Sequence, residues 1–183
     1  MKFYIITALN NIVEDYVTFD EKAFQDIYIS CINSEFQHID KKTLTVNTSD
    51  SGGIEFPDFM YDGAVPLFSD KLFGIVKDEN IDYVFTKEVS VISSITDEVK
   101  KYHLFLPPRI DCLDEEKSIY EEFTDGIFTI KDVEKCIIND KKIGNYNIFK
   151  IDKTTDNNIY VTENFMKLLK SVNPSGVGFT EVT

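Results

Sequence analysis

Two segments of the chain have apolar residues at the spacing of an amphipathic helix. The first follows Ser69, whose hydroxyl can accept a hydrogen bond from a free N–H of the first helical turn. The second follows Thr162 and ends before Asn173. Their apolar faces consist of Leu72, Phe73, Ile75 and Val76 in the first, and Phe165, Leu168, Leu169 and Val172 in the second. The pattern predicts helices over residues 69–79 and 162–172.

Runs of β-branched and aromatic residues, continuous or alternating with polar ones, predict the strands. The runs cover residues 2–9, 44–46, 81–85, 101–106, 127–138, 146–151 and 176–182. Residues 23–32 fit either a strand or a helix, and their β-branched content favours a strand. The order of elements predicts an α+β fold, with a mixed β-sheet and at least two packed helices in a single domain.

The two predicted helices belong to segments that match each other in layout. Thr162 lies 93 positions after Ser69. Asn173 lies 93 positions after Asn80, which is predicted to end the first helix with left-handed backbone. An apolar strand precedes each helix, and another follows each Asn. The fold therefore contains either a duplicated strand–helix–strand unit or two independent copies of a common pattern.

The composition fits a cytoplasmic globular protein with one domain over residues 1–183. A chain of this length can bury a core without a metal or a disulfide, and its three cysteines are too far apart for a disulfide framework. The apolar run before Asn10 is too short for a secretory signal, and no run reaches the length of a membrane-spanning helix. These features favour a reducing compartment and predict no membrane partner.

The charge is strongly acidic, since 32 aspartates and glutamates face 19 lysines and arginines and give a net charge of −13. Such a field repels nucleic acid and anionic membranes and attracts basic partners. The acidic charge can also serve only to keep the protein soluble, because net charge governs association and not fold. The sequence therefore predicts no nucleic-acid partner, and a basic protein partner is one of two explanations.

The motifs of common enzymes and cofactor sites are missing from the sequence. His38 and His103 have no nucleophile or second histidine at a recognisable spacing, and there is no phosphate-binding glycine loop. Residues 152–163 place acidic or hydroxyl oxygens at EF-hand positions 1, 3, 5 and 12. However, Asn157 stands where glycine is needed, and a predicted strand precedes the loop. We therefore predict no catalytic residues, no cofactor and no metal.

The densest acidic segment is residues 111–125, which hold seven carboxylates and one lysine. It is a solvated face, a surface for a basic partner, or a source of carboxylates for acid–base chemistry or cation binding. We predict that part of it binds a partner protein, with aromatic anchors between the acids. The predicted binding residues are Asp111, Asp114, Glu115, Glu116, Tyr120, Glu121, Glu122 and Phe123. Tyr61 is a further candidate anchor, and core packing is the alternative for each aromatic residue.

Several motifs in residues 56–182 resemble those of a known family. The most specific is Asp111-Cys112-Leu113-Asp114-Glu115-Glu116-Lys117-Ser118. The others are Phe56 to Phe59, Pro66 to Leu72, Ile81 to Phe85, Tyr102 to Phe105, Ile148 to Ile151, Ile159 to Glu163 and Ser175 to Phe179. In this order they are similar to the bacterial polymorphic-toxin immunity proteins, a group long filed as a domain of unknown function and typified by a myxobacterial immunity protein.

The resemblance implies a cytoplasmic α+β protein that is encoded beside a toxin and inhibits it by tight, stoichiometric, non-catalytic binding. Residues 1–55 would form the N-terminal part of the same domain. The family provides no catalytic residues to carry over. Such families diverge at the toxin-facing surface, which implies that the motifs mark the shared fold. The alternative functions are a carboxylate-based hydrolase or metal-dependent enzyme, which would need acids converging in one pocket, and a structural adaptor.

Overall fold

The computed structural model describes residues 1–10, 12–20, 22–33, 36, 39, 44–62, 64–79, 81–125 and 128–182. Its strands are β1 (Phe3–Ala8), β2 (Leu44–Asn47), β3 (Phe59–Tyr61), β4 (Pro66–Ser69), β5 (Phe85–Ile92), β6 (Val99–Leu106), β7 (Arg109–Ile110), β8 (Ile119–Asp125), β9 (Phe128–Lys135), β10 (Ile148–Ile151), β11 (Ile159–Thr162) and β12 (Val177–Glu181). Its α-helices are α1 (Tyr28–Asn33), α2 (Asp70–Asp78) and α3 (Glu163–Ser171), and a short 3-10 helix covers Asp140–Lys142. This mixture of helices and strands confirms the α+β class.

Most elements lie where the hydrophobic pattern predicts them. The helices expected over 69–79 and 162–172 are confirmed as α2 and α3. The strands β1, β2, β6, β10 and β12 match predicted runs, with ends shifted by one or two residues. Asn80, the predicted stop of the first helix, lies outside the described residues.

The strand prediction for residues 23–32 is wrong. Turns lead into α1 there, because Phe24, Ile27 and Cys31 follow a helical spacing and all three are buried in one core. The strand expected over 81–85 starts only at Phe85, as β5. The strand within 127–138 exists as β9, and Ile127 lies outside the described residues.

Among the described residues, the strands form two five-stranded sheets and a two-stranded hairpin, where the sequence predicted one sheet. The first sheet has the order β12-β1-β11-β10-β7, and the second has the order β2-β5-β6-β4-β3. Both sheets are mixed, as predicted. The edge pairs β10–β7 and β2–β5 are parallel, whereas β1–β11, β10–β11, β3–β4, β4–β6 and β5–β6 are antiparallel.

The chain divides into two compact units, each with its own core. Unit 1 consists of Met1–Ile6, Pro107–Lys167 and Phe179–Thr183, and unit 2 consists of Thr7–Leu106 and Leu168–Gly178. The core of unit 1 contains Phe3, Cys112, Leu113, Ile143, Phe149, Ile151 and Tyr160. The core of unit 2 includes Val17, Ile27, Met60, Leu67, Val89, Tyr102 and Leu104. That residues 1–183 function as one domain stays a prediction.

The two segments with matching sequence layout also match in topology. Both α2 and α3 have nine residues. Each is capped by the hydroxyl that precedes it: Ser69 accepts from the N–H of Leu72 at 3.5 Å, and Thr162 accepts from the N–H of Phe165 at 3.4 Å. Both β4 and β5 pair with β6, which lies between them, and β11 and β12 likewise lie on either side of β1. The correspondence seen in the sequence therefore reflects the same strand–helix–strand crossover, built twice.

Asp58 connects three segments of unit 2. Its carboxylate accepts hydrogen bonds from the hydroxyl of Ser69 at 2.7 Å, the ammonium of Lys71 at 3.0 Å and the backbone N–H of Ser175 at 2.8 Å. Its backbone binds the same segments, because its N–H donates to the Ser175 carbonyl at 3.0 Å and its carbonyl accepts from the Ser69 N–H at 2.9 Å. Partial burial raises the pKa of Asp58, but the combined effect of the hydrogen bonds lowers it by more. The pKa of the carboxyl therefore lies below its usual range. Asp58 thus holds the start of α2 against the loop after α3.

Candidate functional site

The hairpin of β8 and β9 carries four of the predicted binding residues. Its register makes these cross-strand pairs: Tyr120–Val133, Glu121–Asp132, Glu122–Lys131 and Phe123–Ile130. Opposed residues share a face of a hairpin, and successive residues alternate between faces. Tyr120 and Val133 pack against the core of unit 1, so theirs is the inner face. We call Glu121, Phe123, Ile130 and Asp132 the outer face.

The outer face exposes an apolar pair beside two carboxylates. Phe123 is 55% exposed and Ile130 43% exposed, and they are directly opposed. Beside them Glu121 opposes Asp132, and like charges in this position destabilise a hairpin. Asp132 also accepts a hydrogen bond from the Thr155 hydroxyl at 2.7 Å. A partner with an apolar centre and a basic rim would cover the exposed apolar pair and relieve this repulsion.

Three acids of the predicted set are neutralised within the chain. The ion pairs are Asp111–Lys153 at 2.7 Å, Asp114–Lys117 at 2.6 Å and Glu115–Lys131. Hydrogen bonds from the lysines lower the pKa of Asp111 and of Asp114. These three carboxylates therefore add less to the outside field than their number suggests.

Glu116, Glu121 and Glu122 are the exposed acids that lie outside those ion pairs. Among the described residues, none of the three forms a salt bridge of its own. Glu122 is opposite Lys131, but the ammonium of Lys131 is already bound to Glu115. The negative charge of the predicted site that lies outside salt bridges is thus concentrated on these three glutamates, two of which belong to β8.

The candidate aromatic anchors differ in their surroundings. Tyr120 lies on the inner face, where the Lys131 ammonium is 5.1 Å from the centre of its ring. Tyr61 is half-buried in β3 and stacks on Phe59, with ring centres 6.1 Å apart. Of the three, Phe123 alone is exposed on the outer face.

Sequence reasoning missed β8, and with it Ile130 and Asp132. The charge of residues 111–125 indicates an acidic surface and does not reveal the strand pairing that puts these two residues beside Phe123. A signal was present, because Asp125-Gly126 is a common hairpin turn dipeptide between two segments with β-branched and aromatic residues. That dipeptide predicts the hairpin, although the register follows only from the fold.

The loop that resembles an EF-hand uses its oxygens inside unit 1. The Asp156 carboxylate accepts hydrogen bonds from the Tyr160 hydroxyl and, at 2.6 Å, from the Asn158 N–H. Glu163 forms an ion pair with Lys167 at 2.8 Å in the first turns of α3. The preceding segment is β10, where an EF-hand requires a helix. Among the described residues, no group of three or more His, Cys, Asp or Glu side chains is placed to hold a metal ion.

The nucleophile and base candidates have structural surroundings. The His103 imidazole lies 2.6 Å from an Asp70 oxygen and stacks on Phe73, with ring centres 3.9 Å apart. His38 lies outside the described residues. Burial raises the pKa of Cys112 to about 12 and that of Cys136 to about 11, so both thiols remain protonated at neutral pH.

A cleft of about 270 Å³ in unit 2 is lined by residues 22–27, residues 44–46 and Val89. Among its described lining residues Asp26 is the one carboxylate, whereas a carboxylate-based hydrolase requires acids that converge in one pocket. In the part of the chain that the structure describes, no helix is both long enough and apolar enough to cross a bilayer.

Comparison with protein-family models identifies the class of this protein as the immunity proteins. The matching model is that of the immunity protein family Imm11, and the match covers residues 67–183. Because this is more than half of the 183 residues, the chain belongs to the Imm11 immunity protein family. The match confirms the resemblance that the motifs of residues 56–182 indicated. A search of curated proteins finds no match to the chain.

Proposed function

We propose that this chain neutralises a cognate bacterial toxin in the cytoplasm by binding it tightly and without catalysis. Membership of the Imm11 immunity protein family carries the proposal. The net charge of −13 supports a basic partner, because oppositely charged proteins attract each other over long range. Toxin domains that act on nucleic acid must meet phosphates and therefore have basic surfaces.

The toxin-binding surface is proposed to include part of residues 111–125, centred on the outer face of the hairpin. Phe123 and Ile130 supply an exposed apolar centre, and the exposed glutamates Glu116, Glu121 and Glu122 supply negative charge around it. In such an interface the apolar centre controls dissociation, whereas the rim charges control the rate of encounter.

The function is tested with the toxin domain encoded by the neighbouring gene. We expect the purified toxin domain and the chain to form a stoichiometric complex, and we expect co-expression of the chain to restore growth of cells that produce the toxin. A toxin domain encoded beside a different immunity protein is the control and should remain active. If the neighbouring product neither binds the chain nor loses activity in its presence, the proposal is wrong.

The binding surface is tested by charge reversal. We expect replacement of Glu116, Glu121 and Glu122 by lysine to slow association with the toxin domain by about tenfold at low salt, because electrostatic steering is lost. The matched control reverses three exposed glutamates of unit 2, Glu14, Glu55 and Glu79, and changes the net charge equally. Stopped-flow rates at several ionic strengths should converge for all proteins as salt screens the charges. If association slows equally in both variants, the hairpin is not the docking face.

A further inference from the structure

β8 is an unusually long edge strand for this protein. In the described part of the chain, the strands at the edges of the two five-stranded sheets are β12, β7, β2 and β3, with five, two, four and three residues. β8 has seven residues and pairs there with β9 alone. Natural proteins keep exposed edges short because an open edge can pair with another chain.

The hydrogen bonds of Lys131 show which peptide groups of β8 point to the open edge. The Lys131 N–H donates to the Lys153 carbonyl, and the Lys131 carbonyl accepts from the Thr155 N–H, both at 2.9 Å and both on the side away from β8. Glu122 and Lys131 are therefore a non-hydrogen-bonded pair of the antiparallel ladder. It follows that the N–H and carbonyl of Glu122 point away from β9, as do those of Thr124 two residues along.

The side chains of β8 decide what kind of strand this edge can accept. The strand contains no proline, and its one bulge lies at the start, between Ile119 and Tyr120. Glu121 and Glu122 are both exposed. A second copy of β8 placed alongside would bring these carboxylates close to their counterparts, and that repulsion opposes self-association. A strand that carries lysine or arginine would meet complementary charge.

We propose that β8 is the docking edge for the toxin, and that a basic strand of the toxin domain extends the hairpin by pairing with it. This inference rests on the proposed function. The peptide groups of Glu122 and Thr124 form the new ladder, Glu121 and Glu122 bind the basic side chains, and Phe123 packs against the added strand. The backbone would supply affinity and the two glutamates would supply selectivity for a basic strand.

The test compares two substitutions at one residue, with the toxin domain encoded by the neighbouring gene as the probe. Glu122→Pro removes an N–H that points to the open edge and leaves the β8–β9 hydrogen bonds in place, as proline at an edge position can. Glu122→Ala removes the same charge and keeps the N–H. We expect Glu122→Pro to weaken toxin affinity by more than about thirtyfold, because several ladder bonds are blocked, and Glu122→Ala by less than about fivefold.

The outcomes separate this inference from the proposed function. If the wild-type chain does not bind the toxin domain, the proposed function itself fails. If the wild type binds and the two variants bind equally well, only the docking edge is wrong. If circular dichroism shows that Glu122→Pro is unfolded, residue-resolved hydrogen exchange of the wild type tests the docking edge instead. The amides of Glu122 and Thr124 should then exchange at least about tenfold more slowly in the complex, and unchanged exchange would overturn the proposal.

Discussion

Replacing Asp58 by alanine is expected to lower the free energy of unfolding by about 3 kcal/mol, because the hydrogen-bond donors around its carboxylate then lose their acceptor. The hydroxyl of Ser69, the ammonium of Lys71 and the N–H of Ser175 all lie within 3.0 Å of its oxygens. The side chain of Asp58 is only 15% exposed, so water replaces these contacts poorly. Urea denaturation followed by circular dichroism measures the change.

An exposed aspartate of the same unit is the control for this substitution. Asp82→Ala should change the free energy of unfolding by less than about 0.5 kcal/mol, because Asp82 is exposed. An Asp58→Ala protein as stable as the Asp82→Ala protein would mean that the contacts of Asp58 do not hold unit 2 together. The toxin affinity of folded Asp58→Ala provides a further check. It should equal that of the wild type, because Asp58 belongs to unit 2 and the proposed docking edge to unit 1.

The same carboxylate predicts a dependence of stability on pH. The folded-state pKa of Asp58 lies below its usual range, so its contribution is complete above the ordinary pKa of an aspartate, at about pH 4. The contribution is lost as the pH falls from there through the lower folded-state pKa, because protonation then favours the unfolded chain. The difference in stability between wild type and Asp58→Asn should therefore shrink below about pH 4 and be constant at neutral pH.

Replacing Phe123 by alanine is expected to weaken toxin affinity by about 2 kcal/mol, or roughly thirtyfold, because buried aromatic anchors dominate protein interfaces. Phe123 is 55% exposed in the free chain, so its removal should cost little folding stability. Isothermal titration calorimetry with the toxin domain measures the affinity, and a thermal melt confirms that the fold is retained.

An exposed apolar residue of unit 2 is the matched control for Phe123. Ile95 is 46% exposed, and Ile95→Ala should leave the toxin affinity within about twofold of the wild type. If Phe123→Ala and Ile95→Ala bind equally well, the outer face is not the contact surface. If Phe123→Ala weakens binding while Glu122→Pro does not, the toxin contacts the face of the hairpin and not its edge.

The candidate site could be predicted only in part. Charge counting identified residues 111–125, and Glu121, Glu122 and Phe123 do lie on an exposed surface of the hairpin. Counting could not show that Asp111, Asp114 and Glu115 are bound by lysines, because two of those lysines lie 42 and 16 residues away in the sequence. Nor could it place Ile130 and Asp132 beside Phe123, since that neighbourhood arises from strand register.

The sequence by itself determined the features that depend on neighbouring residues. Both nine-residue helices were predictable because a capping hydroxyl and an apolar stripe act within about ten positions. The family was also recognisable from short motifs. Only the tertiary structure decided that residues 23–32 are turn and helix. For the described residues, it also decided that the strands form two five-stranded sheets and a hairpin, and that β8 pairs with β9 alone. Those outcomes depend on distant segments that compete to bury apolar surface and to pair peptide groups, and that competition is resolved only when the whole chain folds.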